Sequence, residues 1–155
     1  MIAASAFSPD RKYRYALWRI WDERKPICMF IGLNPSTADE NFDDPTIKRC
    51  KSYSGGWGYG GLCMANLFAY RSSNPRDLCS YREPIGSEND TWLTYLAAYS
   101  GIVVASWGNW GELLKRSEAV RKLIPGLYCL GTTKRGQPKH PLYLPGEAKI
   151  ERYMP

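Results

Sequence analysis

Residues Ile27 to Asp39, I-C-M-F-I-G-L-N-P-S-T-A-D, constrain the fold of this chain more than any other stretch. Five apolar residues run without a polar interruption, the pattern of a strand buried on both faces. The run ends at Gly32, and Asn34-Pro35 then turns the backbone sharply. In open α/β proteins the carboxyl end of a parallel strand is where ligands bind. The loop after Gly32 gathers an amide, hydroxyls and a carboxylate in Asn34, Ser36, Thr37 and Asp39. A site is therefore expected there.

The flanking segments extend the pattern. Tyr13 to Trp21 alternates and is rich in aromatics, which predicts a strand. Asp22 to Pro26 reads as a turn, so the chain is expected to open with an antiparallel hairpin of residues 13–21 and 27–31. Asp44-Pro45 is an N-cap followed by proline at the first helical position, with a helix to about Tyr53. The glycine cluster from Gly55 to Gly61 reads as a flexible loop, a candidate lid carrying Trp57 and Tyr59 as stacking groups. Leu62 to Tyr70 is a third strand, apolar except for Asn66. Ser87 and Asp90 have the spacing of a capping box opening a helix to about Tyr99. Ile102 to Ser106 is a short buried strand. Residues 109–124 read as a helix with Leu113, Val120 and Ile124 on one face and Glu112–Arg116 and Glu118–Lys122 paired at i, i+4. Leu127 to Leu130 is the last core strand. Strands alternating with helices predict one α/β domain over residues 1–155. Its expected form is a three-layer sandwich with a mainly parallel central sheet and the N-terminal antiparallel hairpin at one edge.

Composition narrows the partners. A net charge of +6 favours polyanions or phosphorylated ligands, although the basic residues are spread along the chain. Five cysteines without C-x-x-C spacing and a single histidine give little support to a zinc or iron–sulfur site, and no metal or cofactor is implied. Free cysteines point to a reducing, cytoplasmic setting. No signal peptide or membrane-spanning run is read. The glycine cluster lacks the ending of a phosphate-binding P-loop.

Three side chains stand out for chemistry. Asn66 interrupts an apolar strand, either as a buried amide serving neighbouring backbone groups or as a reader of a base edge, since an amide offers donor and acceptor in one plane. His140, the only histidine, follows a basic loop and is stiffened by Pro141. Asn34 is either a turn residue or a ligand-facing amide. No Ser-His-Asp or Cys-His arrangement is evident.

Taken in order, Gly32-Leu-Asn-Pro-Ser36, Met64-Ala-Asn-Leu-Phe-Ala-Tyr-Arg71, Asn74-Pro75-Arg76, Ile102 to Gly108 and His140-Pro141-Leu142 resemble the motifs of the uracil-DNA glycosylase superfamily over roughly residues 27–144. The run G-L-N-P-S-T-A-D, the following D-P-T and the late K-H-P are closer still to an uncharacterised bacterial and phage family, domain of unknown function 1643. The superfamily resemblance implies that Asn34 positions a water or the sugar and that Asn66 binds the base edge. It implies that His140 stabilises the leaving base as charge develops on it. Gly32, Leu33, Pro35, Ser36 and Arg71 would line the substrate site, with Phe42 or Tyr70 stacking on the base. Lys139, Leu142 and Tyr143 would contact DNA, the apolar members as a wedge holding a base out of the stack. Asn34 stands where the fastest relatives carry a water-activating Asp, which implies either slow catalysis or dependence on Asp39 instead. Ser36 and Leu142 also depart from the motifs. The function so implied is N-glycosidic cleavage of an unusual or damaged base in DNA or a nucleotide. The alternative is a non-catalytic protein that binds a nucleotide or modified base on the same fold.

Overall fold

The apolar run at residues 28–32 does become the middle of a sheet, in a computed structural model that describes residues 1–155. The strands are β1 (Ile2–Phe7), β2 (Arg14–Ile20), β3 (Cys28–Gly32), β4 (Gly61–Asn66), β5 (Ile102–Ala105), β6 (Tyr128–Cys129) and β7 (Glu151–Arg152). The helices are α1 (Pro45–Gly56), α2 (Asp77–Ser80), α3 (Asn89–Ala98) and α4 (Arg116–Leu123). The strands form one sheet in the order β1-β2-β4-β3-β5-β6-β7.

Only β4, β3, β5 and β6 run parallel; β1–β2, β2–β4 and β6–β7 are antiparallel. The sheet is thus mixed, which corrects the expectation of a mainly parallel one. The expected pairing of residues 13–21 with 27–31 is also corrected. The opening hairpin is β1–β2, and β4 lies between β2 and β3. The turn after β2 spans the start of β4, with Trp21 and Asp22 donating to the Gly60 carbonyl and Gly60 donating to Pro26. A Cβ on Gly60 would fall within 2.0 Å of the Asp22 carbonyl oxygen. Two glycines at 60 and 61 are what let β4 enter so narrow a gap.

Apolar side chains cover both faces. On one, Ile47, Cys50 and Tyr53 of α1 pack on Leu17, Phe30, Leu62 and Met64. On the other, Leu93 and Leu96 of α3 and Val120 of α4 pack on Met29, Ile31, Cys63 and Ala65. Trp57 stacks on Tyr53 at 5.3 Å and on Phe30 at 6.1 Å, and Gly55 and Gly56 close α1. That anchoring removes the lid expected at residues 55–61.

Two helical expectations need correction. The start of α3 has no side-chain cap, because Asp90 pairs with Arg116 at 2.8 Å. The predicted helix 109–124 is broken. A 3₁₀ turn occupies Asn109–Lys115, Leu114 and Lys115 adopt φ of 52° and 55°, and α4 begins only at Arg116. Arg116 is buried and donates from Nε to the Leu67 carbonyl at 3.0 Å, while Glu112 binds Arg135. A buried charge-assisted hydrogen bond outweighs the few tenths of a kcal/mol (about 0.2–0.5) of a surface i, i+4 pair. No helix is long and apolar enough to cross a membrane.

Candidate functional site

The loops after β3 and β4, the start of α1 and the segments around Trp107 and His140 enclose a cavity of about 390 Å³. Eight of the residues expected at the site line it together: Gly32, Leu33, Asn34, Pro35, Ser36, Asn66, His140 and Tyr143.

Asn66 ends β4 and is 2% exposed, yet its Nδ2 has no hydrogen-bond partner. Leaving a buried donor unpaired costs on the order of 1–3 kcal/mol. The amide lies over Gly32, its registered neighbour on β3. A Cβ there would sit 2.9 Å from Asn66 Oδ1 and 3.0 Å from Met64 Cε. Glycine at 32 thus makes room for an amide that nothing in the protein satisfies.

Asn34 is committed on its nitrogen side. Nδ2 donates to the carbonyls of Pro35 and Tyr70, each at 3.3 Å, and of Ser72 at 3.0 Å. Three acceptors fix the amide's orientation and leave Oδ1 as the free end. The residue therefore ties the loop after β4 to the loop after β3 as well as facing the cavity.

His140 caps the short turn Pro141–Tyr143, its Nδ1 accepting from the Leu142 amide at 3.2 Å. That bond keeps the lone pair on Nδ1 and places the neutral ring's proton on Nε2. Burial lowers its pKa, opposed by the negative charge of Asp44. The ring is held as a neutral donor.

Among the lining residues that the sequence reading did not single out as site residues, two are charged. Asp44 caps α1, with Oδ1 accepting from the Ile47 amide at 2.9 Å, and its Oδ2 accepts from Ser36 Oγ at 3.2 Å. It is the one carboxylate lining the cavity. Its cap role was legible; its place in the cavity was not. Arg14 is 2% exposed and also lines the cavity. Burial pushes its pKa down to about 10, partly offset by Asp44. Regular alternation puts Arg14 on the same side of β2 as Ala16, away from α1. The register instead pairs Ala6 with Ala16 and Phe7 with Arg14, so Tyr15 is an extra residue. This bulge reverses the phase and brings Arg14 to the α1 face.

Other expected site residues lie elsewhere. Asp39 accepts from the Asn41 amide at 2.8 Å and its carbonyl accepts from Arg19, so it does not reach the cavity and cannot take over a role there. Phe42 is 52% exposed and outside it. Tyr70 is stacked on Tyr81 at 3.7 Å and, with Arg71, lines a neighbouring groove that meets the cavity along Ser36, Ser72 and Ser73. The aromatic faces at the cavity are Trp107, Trp110 and Tyr143. Lys139 and Leu142 do not line it, and Tyr143 is an 85% exposed residue at its edge. All five cysteines are free, and burial pushes the Cys28 thiol up to about 12. No cluster of three or more His, Cys, Asp or Glu side chains is placed to hold a metal ion.

The profile of a family described as a protein of unknown function (DUF1643) matches residues 14–142. The chain belongs to the DUF1643 family. The matched segment contains every residue lining the cavity except Tyr143. No curated protein and no solved structure matches the chain.

Proposed function

We propose that this DUF1643 protein binds an unusual or damaged nucleobase, in DNA or a nucleotide, and hydrolyses its bond to the sugar on a uracil-DNA glycosylase-like fold. The observation that carries the reading is the Asn66 amide, buried at the cavity with an unpartnered nitrogen. A base edge offers the alternating acceptor and donor that such an amide pairs with in plane. The order of the G-L-N-P-S, Asn66 and H-P motifs supports it, since the cavity gathers residues from all three.

The chemistry follows from the side chains present. As the bond from sugar C1′ to the base nitrogen breaks, its electron pair stays on the base. The neutral His140 donates from Nε2 to the anion that develops. A water held by Asn34 Oδ1 adds its oxygen to C1′ and gives a proton to Asp44, which takes the place intended for Asp39. The products are the free base, once it has picked up a proton, and a sugar with a hydroxyl at C1′. Trp110 and Tyr143 replace Phe42 and Tyr70 as stacking faces.

Non-catalytic binding is the second reading, favoured by the full commitment of the Asn34 nitrogen to backbone carbonyls. Mass spectrometry of free bases released from phage, bacterial and uracil-containing DNA and from nucleotide pools separates the two. Wild type is expected to release a base that Asp44→Asn does not, although Asp44→Asn keeps an N-cap side chain. Binding abolished by Asn66→Ala, with no base released from any pool, would instead establish the binding protein.

A further inference from the structure

Arg14 has an environment that the fold alone does not explain. The bulge at Tyr15 carries it to the α1 side of the sheet, where it is 2% exposed against the cavity. Nη1 donates to the Ala38 carbonyl at 2.9 Å, Nε is buried without a partner, and no carboxylate lies within 4 Å to form an ion pair. Buried guanidinium groups are ordinarily paired, because the cost of desolvating the charge must be met by an anion.

The surroundings do not supply that anion. Arg19 and Arg71 act on Arg14 as like charges, and Asp44 is the one carboxylate that offsets them. Arg19 is itself matched by Asp43 at 2.8 Å, which Lys51 shares at 2.9 Å. The Asp44 carboxylate already accepts from Ile47 and Ser36. Arg14 and Arg71 therefore leave positive charge in excess beside the cavity. Arg71 is half-buried, with an unpartnered Nε, in the groove that joins the cavity along Ser36, Ser72 and Ser73. Ser36 and Ser72 already donate to Asp44 and Asp77, so the hydroxyls left to donate to an oxyanion beside the arginine fork are those of Ser73 and of Thr46 in the first turn of α1.

We propose that the cavity holds an oxyanion site at Arg14, so that its ligand carries a phosphate or a carboxylate as well as a flat ring. The inference rests on the nucleobase reading only for the ring. It narrows the substrate class to anionic ligands such as a nucleoside monophosphate or a base bearing a carboxylate. The fork of Arg14 engages the oxyanion and the Asn66 amide the ring edge.

The test is calorimetric titration of the full chain with inorganic phosphate, uridine, uridine 5′-monophosphate, uracil and orotate, the last a pyrimidine with a carboxylate. Thermal unfolding runs in parallel on wild type, Arg14→Met, Arg14→Lys and Asn66→Asp. Wild type is expected to prefer one anionic member of a pair, monophosphate over nucleoside or orotate over uracil, by roughly tenfold or more. The preferred pair identifies the source of the oxyanion. Arg14→Met should lose the preference, and should melt above wild type because an uncompensated buried cation is gone. Arg14→Lys, with charge but no fork, should retain part of the preference and serves if Arg14→Met does not fold. Equal affinity for both members of each pair in wild type, or a full preference surviving in Arg14→Met, overturns the proposal. Inorganic phosphate that raises the melting temperature of wild type and Asn66→Asp but not Arg14→Met, with no ring ligand bound, upholds the oxyanion site and sinks the nucleobase reading.

Discussion

Replacing Gly32 with Ala tests whether the cavity is built around the Asn66 amide. The added Cβ would stand 2.9 Å from Asn66 Oδ1 and 3.0 Å from Met64 Cε, where ordinary contact starts at 3.4 Å. The end of Met64 swings aside easily. Asn66 cannot, because it is buried and its backbone is locked in the β3–β4 ladder. Such overpacking costs about 1–3 kcal/mol. For a domain of this size each kcal/mol lowers the melting temperature by roughly 2–4 °C. Relief of the clash moves the amide by about half an ångström, enough to weaken a ligand held on its edge about tenfold. The assay is a double-mutant cycle of Gly32→Ala and Asn66→Ala, read by thermal unfolding and by calorimetry with the ligand that wild type binds. In the Asn66→Ala background the alanine at 32 has room, and its cost should fall below about 0.5 kcal/mol. An equal cost in both backgrounds, or none in either, would refute the claim that Gly32 is required by the amide above it.

Other expectations follow from single contacts. Arg116→Met removes the buried bond to the Leu67 carbonyl and the pair with half-exposed Asp90, and should cost about 2 kcal/mol in urea unfolding; Asn89 still serves that carbonyl, which limits the loss. His140 has a pKa that burial holds below the ordinary 6.5. Its contribution to stability is therefore complete above that pH and is lost as pH falls through the folded value, since the unfolded chain takes up the proton first. His140→Asn keeps a capping acceptor, so the stability difference from wild type should shift between pH 7 and pH 5 if the reasoning holds (about the range around the ordinary value). Four of the five cysteines are buried and Cys79 is exposed, so a thiol reagent should label one residue in the native protein and five in denaturant. Rapid native labelling of more than one would contradict the packing described.

The parts of the molecule visible in the sequence are those governed by local rules. The apolar run of β3, the Asp44-Pro45 start of α1 and the buried amide at Asn66 each signal through neighbouring residues and are found in place, although β4 ends at Asn66 and does not run on to Tyr70 as expected. Long-range choices were not visible. β1 is built from I-A-A-S-A-F, too small in side chains to stand out, and the passage of β4 between β2 and β3 depends on Gly60 fitting beneath the distant turn at residues 22–26. The break at Leu114 and Lys115 goes with the reach of Arg116 to the Leu67 carbonyl just past β4, which no helical spacing encodes. At the site the same division holds. Asn34, Asn66 and His140 sit in short motifs, whereas Arg14 reaches the cavity through a change of strand phase, and Asp39 and Phe42 are drawn away by Arg19, which takes both of their carbonyls.

The extra residue at Tyr15 makes the charge of the cavity a matter of counting. Adding one residue to β1 between Ala6 and Phe7 would give Tyr15 a partner, restore strict alternation along β2 and turn Arg14 to the opposite side of the sheet, the side of Ala16. Every residue now lining the cavity would keep its identity, and the cavity would still lose its buried cation. Within this fold, a single-residue insertion in an edge hairpin is thus a route from an anion-accepting cavity to one without that cation, and a comparison of relatives by aligned residue type alone would pass over it.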